Sequence, residues 1–114
     1  MRKAIGVLTL IACLLASTVA DAQNPHVNYT NITGQTTTTP KPASGFLHTV
    51  CLNTPTATSV ITMFDNTAAS GTKIGTITVV ASPQPYCFIY NVSFNVGLTI
   101  VTATASSDIT VSWE

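Results

Sequence analysis

The chain has 114 residues, four basic and four acidic side chains, and no net charge. That balance excludes the basic footprint of a nucleic-acid binder and the charge runs of an acidic tail or polybasic membrane patch. Charged residues make up only 7% of the chain, against about a quarter in an ordinary soluble domain.

The first segment, "MRKAIGVLTLIACLLASTVADA", opens with Arg2 and Lys3 and continues into an apolar run from Ala4 to Ala16. Ala20 and Ala22 form an A-x-A site, which predicts a bacterial secretory signal peptide over 1–22, cleaved before Gln23. The apolar run is shorter than the roughly 20 residues of a membrane-spanning helix. Cys13 in "LIAC" lies inside that run, which argues against a lipoprotein box. The mature chain, 23–114, is then one small domain. Its charges are Lys41 and Lys73 against Asp65, Asp108 and Glu114, a net charge of −1. Nineteen threonines supply its polarity instead.

No stretch after the leader has helical periodicity. Threonine, valine and isoleucine dominate, and turn signals recur at short intervals. The expected fold is all-β: a single antiparallel β-sandwich, jelly-roll or immunoglobulin-like, of seven or eight strands. A first strand covers Val27 to Ile32. The Thr-rich stretch Gly34 to Pro42 contains Pro40 and Pro42, which cannot donate to a ladder, so it is an edge strand or part of an extended arm over 23–44. Phe46 to Asn53 follows, with Phe46, His48, Val50 and Leu52 expected on one face. Ser59 to Phe64 and Lys73 to Val80 flank the loop "DNTAASG", where Gly71 is free to take positive φ. Gly75 marks a bulge in the second of these strands. Tyr86 to Val96 carries Phe88, Tyr90, Val92, Phe94 and Val96 on one face. Leu98 to Ala105 and Ile109 to Trp113 close the chain, the last with Ile109, Val111 and Trp113 aligned.

Removing Cys13 with the leader leaves Cys51 and Cys87, an even pair that reads as a disulfide in an exported domain. Cys87 has the opposite parity from Phe88 and Tyr90, and Cys51 from Val50 and Leu52. Both therefore point away from the core, and a bridge between them requires their strands to be neighbours on the outer face of one sheet. No C-x-x-C or histidine pair offers a metal site, and no cofactor is expected.

Catalytic side chains are scarce. His26 lies near the N-terminus, and His48 reads as a core or rim histidine. No nucleophile elbow accompanies Asp65. Asp65 and Asn66 read as side chains that shape their own turn rather than as a calcium site. Asn28, Asn31 and Asn91 head N-x-[ST] sequons of the kind that chance produces in so Thr-rich a chain. The expectation is a non-enzymatic, exported module, periplasmic or extracellular, that meets a protein partner or assembles with itself. A carbohydrate- or ligand-binding alternative would use Tyr29, Tyr86 and Trp113, although Trp113 reads first as a core residue. Neither nucleic acid nor, after cleavage, a membrane is an expected partner.

At "NYTNITGQTTTT", "GFLHTVCLN", "ITMFDNTAASGTKIGTI" and "YNVSFNVGLTIVTA" the sequence resembles small β-sandwich proteins of tailed phages and related bacterial genomes, some of them virion or capsid-surface components. The likeness runs from Tyr29 to Trp113. It implies a β-sandwich with a role in decorating or connecting larger assemblies, and it carries over no catalytic residues. The leader and the Cys51 and Cys87 pair depart from that pattern and point to a copy adapted to the periplasm or cell exterior.

Overall fold

The computed structural model describes residues 26–114, and the predicted leader lies outside them. Eight strands form: β1 (Asn28–Ile32), β2 (Thr37–Lys41), β3 (Gly45–Thr54), β4 (Val60–Asp65), β5 (Thr72–Thr78), β6 (Tyr86–Phe94), β7 (Leu98–Ala103) and β8 (Asp108–Trp113). They make two antiparallel four-stranded sheets, ordered β1-β8-β3-β6 and β2-β7-β4-β5.

The order follows from folding one long hairpin. β4 pairs with β5, β3 with β6, β2 with β7 and β1 with β8. Wrapping that ribbon round itself adds β3 against β8 and β4 against β7. This is the eight-stranded jelly roll, so of the two expected sandwich types the structure selects that one.

Alternation explains the core. The inward residues Leu47, Val50, Leu52, Phe94, Ile109 and Val111 of one sheet meet Ile61, Met63, Ile77, Leu98 and Ile100 of the other, all buried. Each such aliphatic stabilises by about 1.5–3 kcal/mol relative to exposure. Buried threonines take up the remaining polarity. Thr102 Oγ1 donates to the Gly34 carbonyl and accepts the Thr36 N–H at 3.0 Å, and Thr99 Oγ1 donates to the Asn66 carbonyl at 2.8 Å. These bonds sew the β1–β2 and β4–β5 connections onto β7. The Thr-rich stretch is thus an edge strand paired with β7 of its own chain.

The expected face of β3 needs correction. Between Leu47 and Thr49 the register slips by one residue against β8, Leu47 facing Trp113 and Thr49 facing Ser112. The extra residue, His48, makes a bulge that reverses parity. Leu47, not Phe46, therefore fills the core. Phe46 and His48 turn outward together, their rings 4.8 Å apart. On β6, Phe88, Tyr90, Val92 and Phe94 face inward as expected, but Val96 falls in the following turn and is exposed. Gly75 does mark a bulge, for β5 gains a residue between Lys73 and Gly75 against β4. Gly71 takes φ +84° in the hairpin loop.

Candidate functional site

β6 is an edge strand, paired with β3 alone. Its nine residues, "YCFIYNVSF", contain no charge. The outward Cys87 faces Cys51 in register, and the two form a disulfide across β3 and β6. This is the outer-face bridge that parity required. Two residues on, Ile89 is 74% exposed on the same face.

On the inward parity of β6, Tyr86 reaches beyond the end of the core and is 62% exposed. Its ring meets Phe88 edge-on, centroids 4.8 Å apart. Here the two sheets part and leave a cleft of about 240 Å³. β6 contributes Tyr86 and Phe88, β3 Leu52, and β5 Ile77 and Thr78; the segment after β5 adds Val79, Val80, Pro83 and Gln84. The lining is apolar, with Gln84, Thr78 and the Tyr86 hydroxyl as its polar groups. Farther along the same flank Gly75 leaves room for Tyr90, whose ring a Cβ would meet at 3.1 Å. Burial raises the Tyr90 phenol above its ordinary pKa.

The three aromatics singled out from sequence do not share a surface. Tyr29 lies on β1, at the opposite edge of the sheet from Tyr86, and faces outward. Trp113 points inward and packs against the core, its Nε1 donating to Thr30 Oγ1 at 3.0 Å, with Lys41 Nζ 5.9 Å from its ring centroid. Of the three, only Tyr86 lines the cleft.

Both described aspartates brace the scaffold. The Asp65 carboxylate accepts the N–H groups of Asn95, Val96 and Gly97 in the β6–β7 turn, and the first two of these chiefly hold its pKa below the ordinary value. The expectation that Asp65 shapes its own turn is thus corrected, since it ties down a different one. Asn66 does shape its own loop, donating to the Ser70 carbonyl at 2.7 Å. Asp108 accepts the side-chain amides of Asn31 and Asn53, which lower its pKa in the same way. His48 Nε2 lies 3.7 Å from Glu114 Oε2 and has no hydrogen-bond partner among the described residues. His48 is therefore a rim histidine. Among the described residues no three His, Cys, Asp or Glu side chains gather into a metal site, and no helix is long and apolar enough to cross a membrane.

Sequence reasoning missed Ile89 and the cleft. Ile89 could have been found, because it shares the parity of Cys87 and so must face outward. The cleft could not, because Val79 to Gln84 meet β6 only through the packing of two sheets. No protein-family model, curated protein or solved structure matches this chain.

Proposed function

We propose that this chain is an exported, non-enzymatic surface module that assembles with a second copy of itself through edge strand β6. The observation that carries this reading is the uncharged nine-residue edge of β6, with Tyr86 and Ile89 exposed beside an apolar cleft. An edge strand leaves a row of backbone N–H and C=O groups without a partner strand. β6 also bulges, at Asn91, but carries neither charge nor proline; of the other three edges, β2 has Pro40 and Lys41, β5 has Lys73 beside its own bulge, and β1 is five residues long. Two β6 edges pairing antiparallel about a two-fold axis would join the cysteine-bearing sheets of both copies and let side chains of one copy enter the cleft of the other. A mature net charge of −1 opposes this contact only weakly.

Export is supported by the leader-like N-terminus and by a disulfide that reducing cytosol would not maintain. The commitment of both described aspartates to structural hydrogen bonds supports a non-enzymatic role. A second reading, a phage virion component, is favoured by the jelly-roll topology, which capsid proteins share with lectins; fold alone assigns neither.

Sedimentation velocity on the oxidised, secreted protein tests the assembly. The expected result is a concentration-dependent dimer that Ile89→Lys converts to monomer without lowering the melting temperature. A monomer at every concentration up to about 1 mM, a Kd worth only some 4 kcal/mol, would overturn it. So would a dimer indifferent to that substitution.

A further inference from the structure

On the outer face of the cysteine-bearing sheet, at the opposite edge from β6, a second surface combines an exposed aromatic with a fixed polar network. Tyr29 on β1 is 75% exposed, and Asn31 lies two residues along on the same face, about 6.7 Å away. Across β8 and β3 the register continues this face through Ser112 and Thr49 beside Tyr29, and through Thr110 beside Asn31. Asn31 Nδ2 donates to Asp108 Oδ1 at 2.7 Å and to the Ile109 carbonyl at 2.9 Å. Asn53 Nδ2 donates to the same Asp108 oxygen at 3.1 Å and to Thr110 Oγ1 at 2.8 Å.

The consequence is directional. Both carboxamides spend their N–H groups within the network, so each is held in one orientation. Asp108 Oδ2 and the two carboxamide oxygens accept no hydrogen bond among the described residues. Three acceptors are thus fixed on one patch beside an aromatic ring. Its charge narrows the ligand. Asp108 is the one carboxylate in the network, and the described lysines, Lys41 and Lys73, both belong to the other sheet. An anion finds no cation here, and a metal ion finds one carboxylate only. A neutral polyol finds acceptors for its hydroxyls and a ring face for its C–H groups.

We infer that Tyr29, Asn31, Asn53 and Asp108 form a binding site for a neutral oligosaccharide, one sugar ring lying on Tyr29 beside Asn31 while the hydroxyls of the next ring donate to the Asn53 and Asp108 oxygens. Its aromatic platform, Tyr29 on β1, lies three strands from β6, although Asn53 is on β3, the neighbour of β6.

The test is a titration of the secreted protein, followed by amide chemical shifts, with neutral linear oligosaccharides of glucose, N-acetylglucosamine, xylose and mannose. At least one series should bind. Tyr29→Ala should weaken that binding about tenfold or more, and Asn53→Ala should weaken it in the same direction. Neither Ile89→Lys nor Tyr86→Ala should change it, so dimer and glycan site fail separately. Unaltered thermal melting of Tyr29→Ala shows that the loss is not unfolding. No shift with any series, binding that survives Tyr29→Ala, or binding abolished by Tyr86→Ala would each overturn the assignment.

Discussion

At the scale of single residues, Asp65 shows how one charge stabilises a nearly uncharged domain. Its carboxylate gathers three successive backbone N–H groups of the turn that reverses β6 into β7. Such bonds favour the ionised form, so the folded pKa lies below its ordinary value of 3.8. The unfolded chain then binds the proton more readily than the folded one. The group's contribution is complete above about pH 5 and fades as pH falls through the lowered folded pKa. Asp65→Asn should cost about 1 kcal/mol at pH 7, less than the roughly 1.5–3 kcal/mol of a charge-assisted bond because solvent screens it. It should also flatten the acid limb of stability. Urea unfolding of both proteins between pH 2 and pH 7 checks this, and parallel acid limbs would refute it.

At the scale of elements, bulges decide which side chains meet. The bulge at His48 exchanges Phe46 for Leu47 in the core, and β6 answers with an extra residue of its own, Asn91 taking φ +49°. Asparagine tolerates that conformation better than most residues. The bulge beside Gly75 lays bare backbone against Tyr90 and Met63, where a Cβ would stand 3.1 and 3.3 Å from their side chains. Gly75→Val should therefore destabilise by about 1–3 kcal/mol through overpacking between β5 and β6. Because Tyr90 would be displaced, its phenol pKa should fall toward the ordinary value, which ultraviolet titration would detect. An unchanged melting temperature and phenol titration would show that the two sheets do not meet there.

At the scale of the molecule, the disulfide crosslinks the hairpin ribbon where β3 pairs with β6. Cys51 and Cys87 are 36 positions apart, and that loop corresponds to about 4 kcal/mol in the chain-entropy model. β6 has no second neighbour to hold it, so the link fastens the strand on which the proposed assembly depends. Calorimetry with and without reductant should show the melting temperature fall by about 16–32 °C, at the 4–8 °C per kcal/mol expected of a domain this size. A fall of less than about 5 °C would mean that β6 is secured by packing alone.

The sequence by itself determined the class of fold and seven or eight strands, with boundaries displaced by a few residues and the Thr-rich stretch left as edge strand or arm. It also determined the outward parity of both cysteines. These properties are local: a pleated backbone sends neighbouring side chains to opposite faces whatever lies beside it. Tertiary structure alone decided the rest. The jelly-roll order, the parity reversal at His48 and the reach of Asp65 to a turn thirty residues away depend on which strands become neighbours and in what register. The same holds for the candidate sites. Trp113 shares the parity of Ile109 and Val111 and packs on the core accordingly, but Tyr29 and Tyr86 read alike in one dimension, and the fold sends them to an outer face and a cleft rim. The partners that single out Tyr29, namely Asn31, Asn53 and Asp108, come together only where β1, β3 and β8 lie side by side.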